Sequence, residues 1–200
     1  MNDIVVGMGE ALWDVLPEGK KIGGAPANFA YHVSQFGLES CAISAVGNDA
    51  LGTELLENFN RKGVNYLIEN VPYPTGTVQV EIDQAGIPQY EIKENVAWDN
   101  IPYTARLESL AERTRAVCFG SLAQRNVVSR NTINRFLDAM PQDDNRLIVF
   151  DVNLRQGFYN KEILCNSMKR CNILKINDEE LVTVSRMFGY PGIDLQDKCW

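Results

Sequence analysis

Residues Lys21–Gly37 read KIGGAPANFAYHVSQFG: two adjacent glycines, then Ala-Pro-Ala-Asn, then an apolar-periodic run that stops at a glycine. Pro26 in the first turn and Gly37 as a stop predict a helix over Ala25–Phe36. A helix start that follows glycines offers free backbone N–H groups which a ligand can approach closely. Asn28, in that first turn, can donate and accept hydrogen bonds at once, which suits a sugar hydroxyl. A plain loop-to-helix turn needing positive φ would carry the same glycines, and from this stretch alone both readings stand.

Outward from it, apolar runs alternate with helical patterns. Strands are expected over Asp3–Met8, Ser40–Val46, Val117–Phe119, Leu147–Val152 and Ile173–Ile176. Helices are expected over Leu51–Lys62, Asn126–Met140, Glu162–Arg170 and Asp178–Phe188. Near-continuous apolar strands separated by helices predict an α/β fold, with a central, mainly parallel sheet flanked by helices on both faces. Thr75–Lys93, TGTVQVEIDQAGIPQYEIK, departs from that rhythm. It alternates with period two around an Ala-Gly turn, with Val78, Val80 and Ile82 on one side and Thr77, Gln79 and Glu81 on the other. That predicts an antiparallel hairpin with one exposed face, serving as a lid, a dimer surface or an edge hairpin.

The 200 residues are 45% hydrophobic and 22% charged, enough for one core and too few for two well-separated domains. A net charge of −7 speaks against nucleic acid and anionic membranes as partners. No apolar run has the length of a membrane span, and the N-terminus lacks a basic region, so neither a membrane segment nor a signal peptide is expected. Five cysteines without a C-x-x-C pair are expected to be reduced thiols in a cytoplasmic protein. With His32 the only histidine, a zinc site is not expected. The sequence has no GxxxxGK[ST], no GxGxxG and no GxSxG, which removes P-loop, Rossmann dinucleotide and nucleophile-elbow chemistry.

Ligands of open α/β sheets sit beyond the carboxyl ends of the strands. There the sequence places Glu10 and Asp14, then Asn48 and Asp49, then Gly120 and Ser121. Asp151, Asn153 and Arg155 follow the fourth of these strands, and Asn177 to Glu180 the fifth. Asn177 or Asp178 alone could simply cap the next helix. Five polar turns at one edge together point to a binding site.

These pieces resemble, in order, the ribokinase-like (PfkB) carbohydrate kinase family. GGAPANFAYHVSQFGLESCAISAVGNDALG resembles the family's first signature, including Gly47, Asp49 and Gly52 of its Gly-x-Asp-x-x-Gly. GEALWD resembles the first sugar-contact loop, DVNLR the D-x-N-x-R segment, and KINDEE the N-x-x-E motif. FGSLAQR and ENVAWDNIP look most like bacterial fructokinases. The resemblance implies a ribokinase-like sheet with a small β-lid, over approximately residues 10–22 and 66–100, in one C-terminally incomplete domain. It implies transfer of the γ-phosphoryl of ATP to a monosaccharide hydroxyl, with D-fructose as substrate; ribose or 2-keto-3-deoxygluconate is the alternative within the class. Sugar contacts carry over to Asp14, Gly24 and Asn28 with Gly23 beside them, and Arg155 falls near the sugar and the transferring phosphate. Tyr90 and Trp98, in the lid segment, could pack on a sugar face or equally within the lid. Phosphate and ATP contacts carry over to Asn153, Lys175, Asn177 and Glu180, with Glu180 holding Mg²⁺ through water. A homodimer paired through the lid is implied as well.

The family's second signature, D-T-x-G-A-G-D, does not occur in the chain. Its last Asp is the family's catalytic base and its Gly-Ala-Gly the anion hole. The 200 residues are therefore expected to be the N-terminal part of a sugar kinase, holding most of the sugar site and inactive by themselves. A non-catalytic module that binds sugar or dimerises is the rival expectation.

Overall fold

The computed structural model describes residues 4–82, 88–143, 145–190, 192, 194, 196 and 198. The chain opens with β1 (Ile4–Met8), turns into β2 (Leu12–Leu16) and β3 (Gly19–Gly23), and enters α1 (Ala25–Gln35). β4 (Ser40–Gly47), α2 (Ala50–Arg61) and β5 (Tyr66–Val71) follow, and then β6 (Thr77–Ile82) and β7 (Pro88–Ile92). The rest runs through α3 (Ala105–Ala111), β8 (Thr114–Gly120), α4 (Val127–Ala139) and β9 (Leu147–Asp151). It ends in α5 (Lys161–Arg170), β10 (Ile173–Lys175) and α6 (Asp178–Phe188).

Six strands form one sheet in the order β10-β9-β8-β1-β4-β5, with every pairing parallel. Alternation along the strands divides the core into two layers. Ile4, Val6 and Met8 of β1 and Ile43 of β4 pack with Leu107 of α3 and Phe136 of α4. On the opposite face, Ala42 and Val46 of β4 pack with Ala27 and Ala30 of α1 and with Leu55 and Phe59 of α2. Each fully buried Leu or Phe contributes about 1.5–3 kcal/mol. α1 lies so close to the sheet that a side chain at Gly7 would run into the Pro26 carbonyl.

The second sheet has four strands in the order β3-β2-β6-β7. β2–β3 and β6–β7 are antiparallel and β2–β6 is parallel. The expected hairpin is therefore present as β6–β7. Its Ala85-Gly86 turn lies outside the described residues, as do the side chains of Val80, Glu81 and Ile82.

β2 and β3 lie largely within residues 10–22, where the resemblance implied part of the β-lid, and form half of the small sheet; their own residue pattern did not mark them as two strands. Asp14 interrupts the apolar run of β2, and β3 carries Lys20 and Lys21 as an edge strand of its sheet, where lysine is common. β5 lies in the main sheet beside β4, so Tyr66–Val71 are not part of the lid. α3 had no assignment from the sequence; Thr104 accepts from the Leu107 N–H and caps it. Among the described residues, no helix is long and apolar enough to cross a membrane.

Candidate active site

A cleft of about 710 Å³ opens between the small sheet and the carboxyl ends of β1 and β9. Three separate stretches bring the predicted residues to it. Asp14 arrives on β2, Gly24 and Asn28 at the start of α1, and Asn153 and Arg155 on the loop after β9. The apolar part of the wall includes Leu12 and Leu16 of β2, Val78 of β6 and Ile92 of β7. Polar groups from both sheets thus meet an apolar wall contributed mainly by the small one, as expected of a pocket for a compact hydroxylated molecule.

Each side chain has a local reason for its place. Gly24 takes φ 107°, and a side chain there would strike the Glu10 carbonyl. Gly23 lies behind the wall, where a side chain would run into the Asp14 carboxylate. Burial raises the Asp14 carboxyl above its ordinary range. Asn153 is buried with φ 39°, a strained conformation that asparagine tolerates better than most residues. Arg155 is exposed, and its Nη1 donates to the Leu154 carbonyl at 3.0 Å.

Trp98 does not line the cleft, which corrects its expected sugar contact. Its indole is fully buried, over Gly76, where any added side chain would collide with it. The Arg125 guanidinium stacks 4.1 Å from its ring centre and makes a two-pronged ion pair with Asp99, at 2.7 and 2.8 Å. Tyr90, from β7, is the aromatic residue that does line the cleft.

Lys175, Asn177 and Glu180 lie beside the cleft and do not line it. Asn177 caps α6 by accepting from the Glu180 N–H at 2.8 Å, and Glu180 Oε2 accepts from the Asn177 N–H at 3.1 Å. Glu180 Oε1 accepts from the Leu154 N–H at 2.9 Å, tying α6 to the Asn153–Arg155 loop. The Lys175 ammonium stands 2.9 Å from Asp151. Among the described residues, no group of three or more His, Cys, Asp or Glu could hold a metal ion. Each Glu180 oxygen keeps a second lone pair. That fits a hydrated magnesium held mainly by phosphates, since this cation keeps several waters.

The comparisons with known proteins give the family and the fold. A family model described as pfkB family carbohydrate kinase matches residues 17–194. The chain belongs to the PfkB family of carbohydrate kinases. It is 32% identical over 171 residues to a sugar kinase of Pyrococcus horikoshii, which covers 82% of this chain and 54% of that one. It is 28% identical over 198 residues to a fructokinase of Salmonella typhimurium, covering 92% and 64% of the two chains. The crystal structure of the Pyrococcus horikoshii sugar kinase in complex with ATP superposes with a TM-score of 0.78 at 30% identity, over 92% of this chain and 66% of that one. A fructokinase from Xylella fastidiosa shares the fold, with a TM-score of 0.82 at 19% identity over 100% and 67% of the two chains. The chain thus spans between about half and two thirds of these relatives' length.

Three charged or amide residues of this PfkB chain's cleft had not been assigned a role from sequence. Lys21 reaches it because β3 pairs with β2 in a register that sets it opposite Asp14. Gln156 lines it and donates from Nε2 to the Tyr90 carbonyl at 2.6 Å, joining the loop after β9 to the small sheet. Glu10 lines it while only 2% exposed. Its position after β1 was visible in the sequence. Its burial depends on α1 folding back over the turn, and no local pattern encodes that.

Proposed function

We propose that the protein is an ATP-dependent sugar kinase whose cleft holds D-fructose, with Asp14 and Asn28 bonding its hydroxyls and Gly24 admitting it close to the start of α1. The observation that carries this reading is the convergence of Asp14, Gly24, Asn28, Asn153 and Arg155, from three stretches, on one cleft. The fructokinase names of its relatives and the ATP complex of a 30%-identical neighbour support the sugar and the phosphoryl donor.

In this reading Arg155 faces the phosphoryl group in transit, where a guanidinium matches phosphate oxygens. Asn153 orients the loop that carries it. Lys175 and Asn177 stand on the nucleotide side. A magnesium ion bound there with the phosphates, and touched by Glu180 through water, would supply charge neutralisation, which phosphoryl transfer needs more than covalent help. On the family resemblance, the acceptor of the sugar hydroxyl's proton is the last Asp of the D-T-x-G-A-G-D signature, which these 200 residues do not contain. The proposed homodimer would pair small sheets, whose edge strands are β3 and β7.

One observation favours a second reading. Lys21 lines the cleft and, among the described residues, has no ion-pair partner. With Arg155 it could receive the carboxylate of an acidic sugar such as 2-keto-3-deoxygluconate. Calorimetric titration with D-fructose, D-ribose and 2-keto-3-deoxygluconate decides between the two. Tightest binding of D-fructose is expected. Tightest binding of the acid, lost in Lys21→Met, would establish the second reading, and no heat with any sugar would overturn both.

A further inference from the structure

Glu10 occupies an unusual place in the cleft. It follows β1, beneath the start of α1, and is 2% exposed. Its Oε1 accepts from the Ala25 N–H at 3.3 Å, in the first turn of α1. The N-cap of that helix is Gly24, which has no side chain to cap it. Oε2 is buried and has no hydrogen-bond partner among the described residues. An unsatisfied polar oxygen at such depth is costly unless something completes it, and this one belongs to a residue of the cleft wall.

We propose that Glu10 is a substrate-specificity residue which, as a neutral carboxylic acid, donates a hydrogen bond from Oε2 to an oxygen of the bound sugar while Oε1 holds the Gly24-Ala25 turn in place. The proposal rests on the cleft being the sugar site, as proposed above. It deepens that reading by naming the group the wall presents. A sugar oxygen without its own hydrogen, in a ring or a carbonyl, can be satisfied only by a donor, and an ionised carboxylate has none to give.

The surroundings favour the neutral form. Burial pushes the Glu10 carboxyl from 4.5 up to about 7. Backbone N–H groups of Glu10 and Ala25 act against that rise, the charge of Asp151 adds to it, and Arg155 opposes it. From β8, the Cys118 thiol also faces this charge and is itself pushed up to about 12, chiefly by burial. Asp151 in turn stands by Lys175 on β10. The first turn of α1 contributes no acidic side chain.

The test is the pH dependence of D-fructose affinity, titrated calorimetrically on the purified protein and on Glu10→Gln, which keeps a donor at every pH. If only the protonated acid binds, the wild-type Kd weakens roughly tenfold between pH 6 and pH 8, as a group titrating near 7 requires. The Glu10→Gln Kd is expected to stay flat over that range, close to the wild-type value at pH 6. A parallel loss with pH in both proteins, or no loss in the wild type, would overturn the role of Glu10 and leave the sugar site standing. Absence of sugar binding by the wild type at any pH would overturn the role together with the site. Glu10→Ala adds a check on the tie to α1. It is expected to weaken binding at every pH, and wild-type affinity in a folded Glu10→Ala protein would refute the proposal.

Discussion

The turn after β4 and the turn after β1 stand at the same edge of the same sheet, and each sets a carboxylate against the start of a helix. In the first, both Asp49 oxygens are held. Oδ1 accepts from the Gly52 N–H at 2.7 Å and the Thr75 hydroxyl at 2.6 Å, and Oδ2 from the Thr75 N–H at 2.8 Å. In the second, Glu10 makes one long bond to Ala25 and leaves an oxygen over. Their titration diverges accordingly. Burial alone would raise the Asp49 carboxyl, but the hydrogen bonds from Thr75 and from the backbone of α2's first turn outweigh it, and the net shift is downward. At Glu10 burial prevails and the shift is upward. A carboxylate whose two oxygens are both held by its own chain is building material. One left half-filled beside a cleft is available to a ligand.

The contrast can be broken first at Asp49. Asp49→Ala strands two backbone N–H groups and a hydroxyl and removes the cap of α2. A loss of ~3 kcal/mol in urea unfolding is expected, with sugar affinity of the folded protein unchanged. A loss under ~1 kcal/mol would mean that water replaces those bonds cheaply and that they are not what distinguishes this turn.

Glu10→Gln sharpens the same contrast in the opposite sense. Between pH 4.5 and about 7 the unfolded chain releases the Glu10 proton while the folded protein keeps it, so folding stability from this group falls as pH rises. At pH 8 the ionised, buried carboxylate costs the wild type on the order of 3 kcal/mol, and Glu10→Gln should recover most of it. At pH 4 the two proteins should unfold together. Asp49 has the reverse sign: its contribution is present at neutral pH and is lost in acid. The smallest effect is expected at Asn28, which is exposed and supports no packing. Asn28→Ala should leave stability within ~0.5 kcal/mol of the wild type and weaken sugar binding about tenfold.

Much of the main sheet could be read from its residues. β4, SCAISAVG, is apolar throughout because helices cover both its faces, and α6 was placed at Asp178–Phe188 by its capping pattern and apolar period. β2 and β3 were not, because Asp14 and the lysines put site and edge chemistry where a strand pattern would show. The site divided the same way. Asp14, Asn28 and Arg155 lie in motifs and were found there. Lys21 required the β2–β3 register, Gln156 its bond to Tyr90, and Glu10 the descent of α1, all long-range facts. Trp98 was legible only as an aromatic residue that could face a sugar or pack inside the lid, and its contacts with Gly76 and Arg125 make it core. Asn177 and Glu180 are also occupied with capping α6 and holding Leu154, so their presence alone does not separate a kinase from a sugar-binding module.

Amide hydrogen exchange with and without saturating D-fructose is the most direct test of the contrast between the two turns. Slower exchange is predicted at residues 23–28 and 153–156, around Glu10 and the cleft, with no change at residues 47–53 around Asp49. Protection centred on residues 47–53, or none at either turn, would contradict the assignment of the sugar site.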